Sequence, residues 1–233
     1  MSVKLISRLF SFSFRAWAKT IVKRGLRRFG IIVLPVGNHA DEGLNLVYKL
    51  KSQTSMLQCD HEAYQIYVTV KGLKKIKGDL AEVGVCEGGT AKIMCEAKED
   101  KPLHLFDTFE GIPGVDDVDK SHFYQGQFAS SLGRVKEFLK GYKQVYFYKG
   151  VFPGTAKGVR DKSFSFVHLD VDIYSSTLDC LQFFYPRMSS GGIIISHDYH
   201  KASGVRKAFD EFFKNKREPI IELLGDQCLV EKL

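Results

Sequence analysis

The sequence contains no pair of cysteines at CxxC spacing, and its five cysteines are odd in number. They provide neither a zinc-binding pattern nor a disulfide framework, which indicates reduced thiols in a cytoplasmic protein. No apolar run is long enough to span a membrane, and no internal repeat is present. What remains is one globular domain of ordinary composition, with 44% hydrophobic and 26% charged residues.

Acidic residues are absent from positions 1–34, which contain eight Lys and Arg. The rest of the chain has 26 basic and 27 acidic residues, so the net charge of +7 belongs to this leader. The remainder therefore has no basic excess of the kind that nucleic-acid binding needs, and we expect no nucleic-acid partner.

The leader is amphipathic when it is drawn as a helix. An arc of about 80° contains five apolar side chains, Ile6, Phe10, Phe14, Trp17 and Ile21, and the opposite side contains Lys4, Arg8, Arg15, Lys19 and Lys23. Such a helix is typical of peripheral binding to an anionic membrane, here through residues 1–30 at the inner face. Two alternatives stay open: a helix that packs on the domain or on a second subunit of a homo-oligomer, and an organelle transit peptide.

Beyond the leader, the pattern predicts a helical cap over 35–77 and a larger domain over 78–233. A short strand or extended segment at 31–36 leads into this cap, whose helices are predicted at 41–52 and 59–72. The domain alternates predicted strands and helices: strands at 79–85, 103–107, 145–149, 164–170, 192–196, 219–223 and 227–231, and helices at 89–98, 131–140, 175–188 and 203–216. This order predicts a doubly wound α/β fold with a mainly parallel sheet and a terminal antiparallel strand.

A glycine-containing turn follows the first predicted strand of the domain. Gly84, Gly88 and Gly89 let the backbone approach a ligand closely, and Thr90 opens the next helix, whose N-terminal N–H groups lack partners. Cys86 replaces the middle glycine of the dinucleotide fingerprint, and the Gly-Lys-Ser/Thr of a P-loop is missing. The turn therefore favours a ligand other than a pyrophosphate, unless it is only a turn.

Asp107 stands at the tip of the second predicted strand, where a carboxylate can accept hydrogen bonds from both hydroxyls of a ribose. The alternative is an N-cap for the next segment. Together with the glycine turn, Asp107 favours an adenosyl ligand.

Two acidic clusters follow later strands. Asp170 and Asp172 come after one apolar run, and His197 and Asp198 come after the next. Parallel strands end at one edge of the sheet, so these groups are expected to converge there as a cation site, a general-base site or both. Asp198 as a cap for the following helix is the alternative.

Six motifs in this order resemble the macrocin O-methyltransferases, a metal-dependent branch of the S-adenosylmethionine methyltransferases. They cover about residues 55–231 and read Glu82-Val-Gly-Val-x-Glu-Gly-Gly-Thr, Phe106-Asp-Thr-Phe-Glu-Gly-Ile-Pro, Lys149-Gly-Val-Phe-Pro-Gly-Thr, Leu169-Asp-Val-Asp-Ile-Tyr-Ser-Ser-Thr, Tyr185-Pro, and Gly191-Gly followed by His-Asp-Tyr199. The resemblance implies a class I methyltransferase fold and O-methylation of a saccharide hydroxyl on a small molecule or a glycan.

The resemblance also implies roles for individual residues. Those that line the S-adenosylmethionine pocket are Glu82, Gly84, Gly88, Gly89 and Thr90, with Asp107 at the ribose. Asp170 and Asp198 are implied metal ligands, and Asp172 is the implied general base. The family has Asp-Asp-Tyr where this chain has His197-Asp198-Tyr199, which moves the expected metal from Mg²⁺ toward Mn²⁺, Fe²⁺ or Zn²⁺ if His197 ligates. A catechol-type phenolic methyltransferase, a nicotinamide oxidoreductase and a non-catalytic binding module are the alternatives.

Overall fold

The computed structural model describes residues 40–233, so the predictions for the leader and for the extended segment at 31–36 lie outside the described residues. Seven strands form one sheet: β1 (Asp79–Val83), β2 (Leu103–Asp107), β3 (Val145–Lys149), β4 (Phe164–Leu169), β5 (Met188–Ser196), β6 (Ile221–Glu222) and β7 (Cys228–Glu231). Their order across the sheet is β3-β2-β1-β4-β5-β7-β6.

The first five strands are parallel, and β7 runs antiparallel to both β5 and β6. The predicted doubly wound sheet with a terminal antiparallel strand is therefore confirmed. Strand β4 is buried along its whole length, as its apolar run indicates for a central parallel strand covered on both faces.

Six α-helices flank the sheet in the described part of the chain: α1 (Ala40–Lys51), α2 (Asp60–Gly72), α3 (Gly89–Ala97), α4 (Leu132–Phe138), α5 (Tyr174–Phe184) and α6 (Ser203–Phe213). Short 3₁₀ turns occur at Leu73–Lys75, Ala156–Val159 and Tyr185–Arg187. Within residues 40–233, no helix combines the length and the apolar character that crossing a membrane requires.

The core lies in two layers, one on each face of the sheet. Side chains of α1, α2 and α3 pack on one face against strand residues such as Leu80 and Phe166. Those of α5 and α6 pack on the other face against Val83 and Val167. Residues 42–233 form one compact unit, in which side chains of α1 and α2 share a core with the sheet.

Parallel register brings the loops after β1, β2, β4 and β5 to one edge. Val83 is opposite both Phe106 and Leu169, and Leu169 is opposite Ser196. The ladder continues one step past the strands, since Asp170 N donates to Val83 O at 2.9 Å. Gly84, with φ of +88°, meets that step, and a Cβ there would lie 1.8 Å from Asp170 O. Only glycine therefore lets these loops approach so closely.

Candidate active site

A cleft of about 320 Å³ opens at the carboxyl edge of the sheet. Its walls are the loops after β1, β4 and β5, the segment 55–59 before α2, and the long connection 108–128 that follows β2. Predicted site residues that line it are Gly84, Gly89, Thr90, Asp107, Asp170, Asp172, His197 and Asp198. The structure thus brings eight of the ten predicted site residues to one cleft, as expected for ligand sites of open α/β sheets.

Asp107 organises one half of the cleft. Its Oδ2 accepts hydrogen bonds from the backbone N–H groups of Val85 at 2.7 Å and Cys86 at 2.8 Å. Its Oδ1 accepts from Phe109 N at 2.5 Å, which closes a local turn. A carboxylate has about four acceptor positions, so three backbone donors leave capacity for a ligand hydroxyl.

Two glycines at the start of α3 have different surroundings. Gly88 is the N-cap, with φ of +81°, and provides no side-chain cap for the helix. A Cβ on Gly88 would face Val135 at 3.0 Å, so this residue points away from the cleft, whereas Gly89 lines it. The first N–H groups of α3 are therefore oriented by a left-handed residue beside the cleft, an arrangement suited to polar ligand groups.

Glu82 lies beneath the cleft rather than in its wall. It is fully buried, its Oε1 accepts from Thr90 Oγ1, and His168 Nδ1 lies 2.9 Å from the same oxygen. Burial raises the pKa of Glu82, although both contacts act in the opposite direction. Glu82 therefore supports Thr90 from below, and His168 is a buried core residue.

The two acidic clusters meet in the other half of the cleft. Asp170, His197 and Asp198 each offer a ligand atom, and these atoms all lie within 4.8 Å of one another. His197 Nδ1 is 3.0 Å from Asp198 Oδ2 and 3.4 Å from Asp170 Oδ1. Carboxylate oxygens and an imidazole nitrogen at this spacing form a donor set that suits a divalent cation. The imidazole nitrogen shifts the preference of the site from Mg²⁺ toward Mn²⁺.

Charge pairing balances burial at the histidine. Burial alone would lower the pKa of His197, but the negative charge of Asp170 and hydrogen bonds with carboxylates raise the pKa above its usual value. Conversely, burial would raise the pKa of Asp170, and the charge of His197 lowers it. Without a cation, the imidazole can thus act as the counter-charge of the carboxylates, and Nδ1 must lose its proton before it can ligate a metal ion.

Asp172 has the opposite electrostatic character. Its pKa is raised well above the ordinary value by burial, then by the charges of Asp170 and Asp198, and by a hydrogen bond with Asp198. Asp172 and Asp198 also have left-handed φ angles of 63° and 59°, which are uncommon outside glycine. Such backbone strain persists where the surrounding structure imposes it, often at functional sites.

Two residues that the sequence did not identify complete the acidic half. Gln58 Nε2 donates to Asp170 Oδ2. Glu62 Oε2 lies 3.4 Å from His197 Nε2 and accepts from Cys59 N at 2.7 Å, while its Oε1 accepts from Asp226 N at 2.7 Å. These contacts hold the pKa of Glu62 at about 2 despite burial, which alone would raise it.

A sequence signal for Glu62 exists in retrospect. It occupies the same helical stripe as Ile66 and Val70, and all three are buried. A carboxylate on an apolar stripe must find partners inside the protein, because an unpaired buried charge is costly. With His197 Nδ1 turned toward a cation, Nε2–H would donate to Glu62, a carboxylate–histidine arrangement common at metal centres.

Comparison with known proteins identifies the family to which this chain belongs. The family model "Macrocin-O-methyltransferase (TylF)" matches residues 62–226. Among curated proteins, 8-demethyl-8-(2,3-dimethoxy-alpha-L-rhamnosyl)-tetracenomycin-C 4'-O-methyltransferase of Streptomyces olivaceus is 32% identical over 53% of this chain and 54% of its own length. Mycinamicin III 3''-O-methyltransferase of Micromonospora griseorubida is 30% identical over 53% and 56%. The chain thus spans a little more than half the length of these relatives.

Solved structures have the same fold. The O-methyltransferase NovP superposes with a TM-score of 0.66 at 26% identity, covering 73% of this chain and 79% of its own. The calicheamicin methyltransferase CalS11 superposes with a TM-score of 0.67 at 18% identity, covering 85% and 94%, which shows the fold alone. The fold is therefore that of the class I methyltransferases.

Proposed function

Because the chain belongs to the macrocin O-methyltransferase (TylF) family, we propose that it transfers the methyl group of S-adenosylmethionine to a hydroxyl of a saccharide. The observation that carries this proposal is one cleft with two chemically different halves. Asp107 and the glycine turn form one half, and Asp170, Asp172, His197 and Asp198 form the other.

The first half suits the adenosyl donor. Asp107 has acceptor capacity left for a ribose hydroxyl, and Gly84 and Gly89 line the same cleft. Thr90 completes this wall, and Glu82 holds it from below. The many carboxylates of the cleft also suit a donor that carries a positive sulfonium.

The second half suits a divalent cation, with Asp170 and Asp198 as the residues that would hold it and His197 as the third donor. Mg²⁺ and Mn²⁺ are the ions we propose, Mn²⁺ being favoured if the imidazole ligates. Such an ion lowers the pKa of a bound hydroxyl and holds it in place.

The reaction itself is a displacement at carbon. The acceptor oxygen forms a bond to the methyl carbon while the carbon–sulfur bond breaks and its electron pair stays on sulfur, and the hydroxyl proton must leave. Asp172 lines the cleft beside the acidic pair and is the group we propose to accept that proton.

The acceptor class rests on the relatives, one of which is named for a rhamnosyl tetracenomycin and another for mycinamicin III. The connection after β2 contributes Ile112, Phe123 and Phe128 to the cleft wall, so it is the part of the chain that we expect to select the acceptor. A catechol acceptor is the alternative, and it would use the same donor set.

Calorimetric titration of S-adenosylmethionine and its demethylated product tests the proposal, with EDTA and with added Mg²⁺ or Mn²⁺. We expect both nucleosides to bind, and methyl transfer to a glycoside to require the cation. Failure of both nucleosides to bind would overturn the proposal. Binding with turnover that ignores the cation would remove the metal alone, and faster turnover with catechol than with glycosides would change the acceptor class.

A further inference from the structure

The segment 108–128, which follows β2, forms one wall of the cleft and is closed on itself at its base. Ile112 N donates to Gln127 O and Gly126 N donates to Ile112 O, both at 2.9 Å. Phe128 O lies 3.8 Å from Cys86 Sγ, so this base adjoins the half of the cleft that contains Asp107. Contacts on the Asp107 side of the cleft, where we propose that the adenosyl donor binds, therefore set the position of this base.

The far end of the segment is attached to helix α5. Asp119 is 1% exposed, and its Oδ2 accepts from Tyr174 N, the first residue of α5, at 2.8 Å. Asp116 Oδ2 accepts from Ser175 N at 3.1 Å. The N-cap of α5, Ile173, provides no side-chain cap, so carboxylates from the segment satisfy the N–H groups of its first turn.

The same carboxylate also meets helix α6. A Cβ placed on Gly204 would lie 2.1 Å from Asp119 Oδ1 and 2.5 Å from Oδ2, so only glycine leaves room for this approach. Ser203 Oγ donates to Val118 O at 3.3 Å. The N-cap of α6, Ala202, likewise provides no side-chain cap. One buried carboxyl group therefore lies at the N-terminal ends of two helices, where the helix dipole favours its charged form.

These two helices begin just after the acidic clusters. Helix α5 starts two residues beyond Asp172, and α6 starts five residues beyond Asp198. The segment that walls the acceptor side is thus attached at the points where the chain leaves the proposed base and the proposed metal ligand.

We propose that Asp119 is a positioning residue that caps α5 and packs against the start of α6. In this way it holds the segment 108–128 closed over the half of the cleft that contains Asp170, Asp172 and Asp198, where we expect the acceptor. The inference rests on the proposed function for its meaning in turnover, since it concerns the same cleft. It predicts that loss of the cap loosens the acceptor wall while the donor half, attached at the segment's base, keeps its structure.

The test uses the full chain and compares Asp119→Asn with Asp117→Asn. Asp117 belongs to the same segment but is exposed and paired with Lys120, so its variant controls for the loss of one charge. We expect hydrogen exchange of backbone amides in residues 112–127 to rise about fivefold to tenfold in Asp119→Asn only, as for loss of one charged cap. The KM for the acceptor should rise by a similar factor, with kcat and S-adenosylmethionine affinity within about twofold of wild type.

A second pair of variants displaces Asp119 from outside and guards against a folding defect. Gly204→Ala leaves the charge intact but pushes the carboxylate away, whereas Gly114→Ala adds a Cβ in the same segment where nothing lies within 4 Å. We expect Gly204→Ala to reproduce the exchange and KM changes and Gly114→Ala to resemble wild type.

Unchanged exchange in both Asp119→Asn and Gly204→Ala would overturn the inference. So would an equal loss of acceptor binding, donor binding and kcat, because that is what a merely structural role produces. The exchange measurement needs no turnover. A wild-type protein that binds no S-adenosylmethionine would therefore sink the proposed function and still leave the capping role of Asp119 decided by its own result.

Discussion

Replacing Glu62 with glutamine should weaken both the fold and the acidic half of the cleft. Glu62 is 2% exposed and uses both carboxylate oxygens: Oε1 accepts from Asp226 N, and Oε2 accepts from Cys59 N and faces His197 Nε2. Glutamine has the same shape but only one acceptor oxygen. If that oxygen stays with Asp226, the new NH₂ group at the buried position 62 faces the N–H of Cys59, so a buried donor is left without an acceptor.

The magnitude follows from the contacts that are lost. A buried donor left without a partner costs about 1–3 kcal/mol, and loss of a hydrogen bond to a charged group adds a comparable amount. We therefore expect the free energy of unfolding to fall by about 2–4 kcal/mol. For a unit of this size, each kcal/mol corresponds to about 2–4 °C in Tm. Loss of a carboxylate that orients a metal-ligating histidine should also weaken Mn²⁺ binding about 10- to 100-fold.

Denaturant unfolding in EDTA measures the first effect, and calorimetric titration with Mn²⁺ measures the second. Glu42→Gln is the matched control, because Glu42 lies on the neighbouring helix α1 with 81% of its side chain exposed and only a 3.9 Å ion pair with Lys71. Its effect should stay within about 0.5 kcal/mol. A Glu62→Gln protein as stable as this control, with wild-type Mn²⁺ affinity, would show that Glu62 does not orient His197.

Three other predictions follow from the sequence and the structure. Asp172→Asn should keep S-adenosylmethionine affinity but lose about 10²- to 10⁴-fold in kcat. The control variant Asp179→Asn changes an exposed residue and should keep the wild-type kcat. Full activity in Asp172→Asn would exclude Asp172 as the base. Glu218 is buried, and one of its carboxylate oxygens lies 2.7 Å from Lys232 Nζ. This contact outweighs the effect of burial and lowers the pKa of Glu218 to about 2. The ionised carboxylate therefore stabilises the fold fully above the unfolded pKa of about 4.3, and this contribution is lost as pH falls toward 2. Glu218→Gln should therefore be less stable than wild type at pH 7 by on the order of 1–2 kcal/mol, with a smaller gap at pH 3; an equal gap at both pH values would refute the pairing. Deleting residues 1–30 should reduce co-sedimentation with anionic liposomes, and undiminished binding would refute the membrane interpretation of the leader.

Much of the fold could be predicted because its signals are local. Alternating apolar runs and helical stripes specify where strands and helices lie, and the observed strands fall within about two residues of the predicted ones, except at the start of β5. That strand begins at Met188 rather than 192, with Gly191 and Gly192 inside it. Two adjacent glycines make a strand difficult to predict from sequence, because they add nothing to the alternation of apolar and polar side chains and have low strand propensity.

The sequence could not predict the directions in which the residues around the cleft point. Glu82 and Gly88 belong to the glycine motif, yet Glu82 points into the core toward Thr90 and His168, and Gly88 faces Val135. A motif gives the order of residues along a turn, whereas the twist of that turn decides which face each one presents.

The sequence by itself determined which ionisable residues lie at the carboxyl edge of the sheet, because parallel strands bring their ends together whatever the loops do. Three carboxylates and one imidazole could be placed in that way: Asp107, Asp170, Asp198 and His197. Only the tertiary structure decided that Glu62 reaches His197 and that Asp119 joins the starts of two helices. Those contacts join residues that are 55 to 135 positions apart, and they form because a buried carboxylate must find donors wherever packing has left them.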